Sequence, residues 1–166
     1  MYNYKLYQKK EEFMNALDLF LVAPNQETFK AIQGNAWMLT RVFQKDKEHA
    51  KKYFKFEEWL KICQDLNGFN DEEKKELKDL LKSSVLSFDD AKKYHFSLPY
   101  SERVDWRDEF IKHANCVKDL RFVLDHIDKP NQKEYEIYRT KIVTKMREVA
   151  ITDEDKKIAF GYVIWW

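Results

Sequence analysis

Three glycines and three prolines are all the backbone punctuation this 166-residue chain has. That scarcity constrains its fold more than any motif. A β-rich chain needs a tight turn after nearly every short strand, and tight turns draw on glycine for positive φ and on proline for a fixed one. The alternative is helix, and the apolar spacing supports it. Phe13, Leu17, Phe20 and Leu21 share one helical face, which Pro24 ends. Phe29, Ile32, Ala36, Leu39, Phe43, Ala50 and Tyr53 recur at steps of three, four and seven behind Asn25, a capping residue. They predict one long helix from about Gln26 to Phe54, with Gly34 inside it as a mark of a close contact or a break.

The rest of the chain reads the same way. Phe56–Leu66 predicts a helix that ends at Asn67-Gly68, and Asn70 caps another in DEEKKELKDLL. A short helix is expected over Asp89–Tyr94. After Ser101, the positions Trp106, Phe110, His113, Val117, Leu120, Leu124 and Ile127 repeat without a lapse up to Pro130. Tyr135, Tyr138, Ile142, Met146 and Val149 mark a helix from Gln132 to about Val149. Thr152 with Asp155 resembles a capping box for a last one. Residues 158–166, IAFGYVIWW, fit a helix behind that cap, and their β-branched and aromatic content also fits a strand. Tyr2, Tyr4 and Leu6 alternate with polar residues as a strand would. The expected fold is therefore all-α: a compact single-domain bundle of about six or seven helices spanning residues 1–166, with a minor β element at the termini. No repeat and no Ser/Gly/Pro-rich linker divides it.

Composition excludes several classes of function. With 44% hydrophobic and 16% aromatic residues the chain can build a core, which disordered chains cannot. A formal net charge of +1 is far from the basic excess of a dedicated nucleic-acid binder. No secretory leader is visible and no apolar run approaches the length of a membrane span, so no membrane association is expected and the cytoplasm is the expected location. Cys63 and Cys116 are too few for a disulfide framework.

No metal or cofactor is expected either. His49, His95, His113 and His126 are scattered, and His113 with Cys116 makes only two ligands. Asp65, Asn67 and Glu76 have the spacing of a calcium loop. However, Asn70 stands where that loop needs glycine, and Phe69 offers no side-chain oxygen. Glycine-rich phosphate loops and a GxSxG elbow are absent from the sequence.

One stretch carries a possible chemistry. RDEFIKH, Arg107–His113, resembles the arginine, polar residue, spacer and histidine motif of HEPN ribonucleases, small all-helical domains that cleave RNA. The resemblance implies that Arg107 stabilises charge at the scissile phosphate, Asp108 orients, and His113 serves acid–base or phosphate contact, usually across a dimer. His113 also falls on the apolar stripe, where a histidine reads as a core residue. Arg121 and His126 form a second such pair, with Phe122 in place of the polar residue.

Two other features point to binding. Lys45–Lys55 holds five lysines against two acids, and Lys45, Lys51, Lys52 and Lys55 are the candidate nucleic-acid contacts. Glu48, four residues before Lys52, also fits an ordinary solvated helix. The aromatics are more unusual: 5 Trp, 9 Tyr and 12 Phe. Burying one such ring contributes roughly 2–3 kcal/mol, so most belong in the core. Tyr2, Tyr4, Tyr7, Trp165 and Trp166 gather at the two ends, either docked or offered to a partner. The leading expectation is a small non-enzymatic protein that binds another protein: an inhibitor, an immunity-type protein, or a bacterial or phage accessory factor. A HEPN-like ribonuclease and a nucleic-acid-binding accessory protein are the alternatives.

Overall fold

The computed structural model describes residues 15–127 and 131–164. Among them regular structure is entirely helical, in line with the expected class, and the chain divides after Ser84 into two compact units. The first contains α1 (15–22), α2 (Gln26–Lys30), α3 (Ala36–Lys45), α4 (Lys47–Tyr53), α5 (Phe56–Cys63) and α6 (Asp71–Ser83). The second contains α7 (Phe88–Ser97), α8 (Tyr100–His113), α9 (Val117–His126), α10 (Gln132–Val149) and α11 (Asp153–Gly161).

The described residues hold eleven helices where six or seven were expected, and the interruption of two long helices accounts for three of the additional ones. The stretch predicted as one helix over Gln26–Phe54 is α2, α3 and α4. At each break a short polar side chain restarts the helix. Asn35 accepts from the Met38 amide at 3.1 Å, and Asp46 from the His49 amide at 3.1 Å. Gly34 lies in the first break, but its φ is not positive and a Cβ there would meet nothing within 4 Å. The caps, not the glycine, account for the break. The helix expected to run on from Ser101 to Pro130 likewise divides into α8 and α9. There the Asn115 side-chain amide turns back to the His113 carbonyl at 3.4 Å, a local bond that competes with helix continuation. Most of the apolar stripe stays inward across the breaks: Phe29, Ile32, Leu39, Phe43, Ala50, Trp106, Phe110, Val117, Leu120 and Leu124 are buried, whereas Ala36 at the start of α3 is exposed and Tyr53 and His113 are half-buried.

Other boundaries follow the capping chemistry. Asn70 and Glu73 exchange side-chain-to-backbone bonds at 2.8 and 3.3 Å to open α6. Ser87, Asn131 and Thr152 open α7, α10 and α11. The terminal element is helical to Gly161, and no strand occurs among the described residues. The alternation at Tyr2–Leu6 and the last two residues lie outside them.

The first unit's core is a mesh of rings. Phe20 meets Tyr53 edge-on at 5.3 Å, Phe54 meets Trp59 at 5.0 Å, and Phe43 touches both Trp59 and Phe69 at 6.0 Å. Its buried carboxylate, Glu58, accepts from the Gln33 side chain at 2.9 Å and the Lys55 amide at 2.8 Å. In the second unit Trp106 packs on Tyr94 at 4.5 Å, and Phe110 stacks on the fully buried His95 ring at 4.5 Å. Leu120, Val123, Ile142, Val143, Met146 and Ala159 fill the space among α9, α10 and α11. Lys145 of α10 donates to the Ile111 carbonyl at 2.7 Å, which caps the end of α8; burial draws its ammonium below the ordinary lysine range.

Candidate protein-binding surface

The corner between α7 and α8 sets up an aromatic surface. The last carbonyls of a helix have no partner within it. Arg103, one turn into α8, reaches back to supply donors: its Nε bonds the carbonyls of His95 and Leu98 at 3.0 Å each, and Nη2 reaches Phe96 O at 3.4 Å. The guanidinium so held lies 5.8 Å from the Phe96 ring and 4.7 Å from the Tyr100 ring. Both rings face solvent, Phe96 at 49% and Tyr100 at 73% exposure.

α9 extends the surface. Phe122 and His126 are one turn apart, and their rings stack at 4.0 Å. Nδ1 of His126 lies 2.8 Å from the Phe122 carbonyl. A carbonyl only accepts, so that nitrogen carries the hydrogen, and Nε2 is the acceptor of the neutral ring. Phe96 meets Phe122 and His126 edge-on, at 89° and 90°. Lys92 completes the group, with its Nζ 5.3 Å from the Phe88 ring, 5.2 Å from the Phe122 ring and 3.2 Å from Asp89. Each such cation–ring contact is worth about 0.5–1 kcal/mol at an exposed site. The result is an aromatic surface overlain by two cations, in which Phe96, Tyr100 and His126 are exposed and Phe88 and Phe122 half-buried; Tyr100 and Arg103 are of the residue types that anchor protein interfaces.

The residues singled out from the sequence fall elsewhere. Tyr2, Tyr4, Tyr7, Trp165 and Trp166 lie outside the described residues. The chain leading to the last two is anchored up to Val163: Arg139 donates to Val163 O at 2.6 Å, and Arg147 to Tyr162 O at 2.5 Å and Ala159 O at 3.3 Å. Lys45, Lys51, Lys52 and Lys55 are all exposed, and acids of α6 face part of their run. Lys47 bonds Glu76 at 2.9 Å and Lys51 approaches the same carboxylate at 3.7 Å. The hydrogen bond from Lys47 holds Glu76 below the usual carboxylate range, while Glu76 first, then Glu73 and Glu72, raise the Lys47 ammonium.

Arg107, Asp108 and His113 have three different environments. Arg107 is 3% exposed: its Nη2 pairs with Glu134 at 3.2 Å, its Nε bonds Val104 O at 3.1 Å, and its guanidinium covers the Tyr138 ring at 4.1 Å. Asp108 is exposed and pairs with Lys141 at 3.3 Å. His113 is half-buried and stacks on Trp106 at 6.2 Å. Six residues apart on a helix, Arg107 and His113 point about 120° away from each other.

Cys63 is half-buried with its Sγ near Leu77 O, and burial pushes its thiol up to about 11. Cys116 is exposed at the start of α9. Among the described residues no group of three or more His, Cys, Asp or Glu is placed to hold a metal ion, and no helix is long and apolar enough to cross a membrane.

Lys92, Phe96, Tyr100 and Arg103 carry no motif in the sequence, and Phe122 and His126 stand out there only beside Arg121 in the second arginine–histidine pair. A signal for some of them was there. Phe122 and His126 lie about halfway round α9 from Val117, Leu120 and Leu124, so a core-directed stripe cannot bury them.

No protein-family model matches this chain, and neither a curated protein nor a solved structure is similar to it at a significant level.

Proposed function

We propose that this chain is a small protein-binding module, an inhibitor, immunity-type protein or accessory factor, that docks through the aromatic surface of α7, α8 and α9. The observation that carries the reading is the exposure of Phe96 and Tyr100 around the immobilised Arg103. Rings left in water forgo the stabilisation that burial provides, and docking on a partner recovers it. Arg103 is already ordered by three carbonyls, so a partner meets a preformed site with little rotamer entropy left to lose.

The two alternatives have less support. An arginine that serves a scissile phosphate must reach it, yet the Arg107 side chain is enclosed by Glu134 and Tyr138. A basic face that tracks phosphates must present its charge, yet Lys47 and Lys51 share Glu76.

The test is affinity capture with the tagged full chain at moderate salt, read by mass spectrometry and by a nuclease-sensitive stain. A stoichiometric protein that is lost from Tyr100→Ala and kept by wild type is the expected result. A partner indifferent to Tyr100→Ala removes this surface from the reading. RNA retained without a protein partner replaces the reading with the nucleic-acid alternatives.

A further inference from the structure

The rings of this surface explain why a partner would cover it; the cations say what that partner must carry. Covering Phe96 and Tyr100 also takes water from Arg103, and covering Phe122 takes it from Lys92, whose side chain is already only 33% exposed. A charge stripped of water needs a counter-charge or becomes a penalty. The carbonyls of His95, Phe96 and Leu98 orient the Arg103 guanidinium but carry no net charge to neutralise it. Asp89, the partner of Lys92, is itself 83% exposed and remains a solvated rim residue. An apolar partner would bury two cations at a cost. A partner with carboxylates opposite them converts that cost into attraction.

We infer, on the basis of the protein-binding reading above, that the partner presents aspartate or glutamate side chains to Arg103 and Lys92, flanking an apolar group that covers Phe96, Tyr100 and Phe122. Single-stranded nucleic acid, the other anionic ligand that uses rings and cations together, fits this geometry less well. Successive bases need roughly parallel ring platforms. Here Phe96 stands at 89° to Phe122 and 90° to His126, and Arg103 lies over the Phe96 and Tyr100 rings that a base would use.

The experiment selects a phage-displayed random dodecapeptide library on the full chain, then measures the enriched peptide by calorimetry beside its Asn/Gln counterpart. Expected are peptides with acidic residues beside Leu or Phe, about tenfold weaker binding when the carboxylates become amides, and loss of binding to Tyr100→Ala. Arg103→Gln also removes the cap on α7. Lys92→Gln leaves that cap in place and reads the charge separately, with an expected loss of about threefold. Peptides without acids that are still lost on Tyr100→Ala overturn the acidic partner and leave the docking surface standing. Peptides indifferent to Tyr100→Ala, or no enrichment at all, overturn both. A thymidine oligonucleotide that shifts the Phe96 and Tyr100 amide resonances, with steep salt dependence, overturns the acidic peptide in favour of nucleic acid.

Discussion

In the first unit the rings turn inward. Phe20, Phe29, Phe43, Phe54, Trp59 and Phe69 are each less than a tenth exposed and touch one another, while Trp37 stands apart from that mesh, half-exposed beneath Arg41. In the second unit rings divide between two roles. Tyr94, Trp106 and Phe110 fill the core, while Phe96, Tyr100 and Phe160 stay in water beneath Arg103 and Arg147. The two halves are similarly rich in aromatics and use them differently. Ring content therefore measures how much apolar surface a chain carries, and helical phase decides how much of it the chain keeps for itself.

The sharpest way to break this comparison is to truncate one ring of each kind. Phe43→Ala should cost about 3–5 kcal/mol, because Trp59 and Phe69 cannot both collapse into the space it leaves. Tyr100→Ala should change stability by less than about 0.5 kcal/mol. Urea unfolding with hydrogen exchange on each unit measures both. Equal losses would mean that Tyr100 belongs to a core and would remove the docking surface.

The cysteines sharpen the same contrast by reactivity. Cys63 sits against α6 with its thiol raised to about 11, so at pH 8 roughly one molecule in a thousand carries the thiolate. Cys116 is exposed. Under native conditions a disulfide reagent should modify Cys116 at once and Cys63 at least about a hundredfold more slowly. Equal rates would show that the α5–α6 packing opens freely.

A smaller effect is expected at Arg107. Glu134→Gln keeps a hydrogen-bond acceptor beside the buried guanidinium but removes its counter-charge. Glu134 is 44% exposed and water screens part of the pairing, so the expected loss is about 1–2 kcal/mol. A neutral outcome would free Arg107 of its structural duty and return it to the ribonuclease reading.

How much of this was legible beforehand depends on the kind of signal. The all-helical class came from the dearth of glycine and proline together with apolar spacing, and the phase of the two long stripes marked most buried positions, with Ala36 left exposed and Tyr53 and His113 half-buried. The breaks were not legible that way, because a stripe that resumes in phase hides an interruption. Asn35 and Asp46 are capping residues in the sequence, but they read as polar-face residues until their side chains are seen on the Met38 and His49 amides. The aromatic surface at the α7–α8 corner was hidden for a related reason. In the sequence the rings crowd at the termini, whereas Phe96 and Tyr100 are brought beside one cation by a corner that only the bonds of Arg103 define.

The smallest expected effect concerns the charged face of the first unit, where Lys47 pairs with a carboxylate as well as approaching a ring. Lys47 holds the Glu76 carboxyl below its ordinary value, so the folded chain binds fewer protons there than the unfolded chain does near pH 4. The resulting stabilisation is present above the ordinary glutamate range and fades as pH falls through the lowered value. Glu76→Gln abolishes that dependence. Lys47 is exposed and Glu76 partly so, and water screens the pair, so the difference between wild type and Glu76→Gln in urea midpoint should be slight at pH 7, vanish by about pH 3, and shrink with added salt. The same salt should weaken the acidic peptide on Arg103 and Lys92 less, because a covered pair is screened less than an open one. If both respond alike, the ring surface is not closed over its cations when it binds, and the carboxylates of the partner lie on its rim.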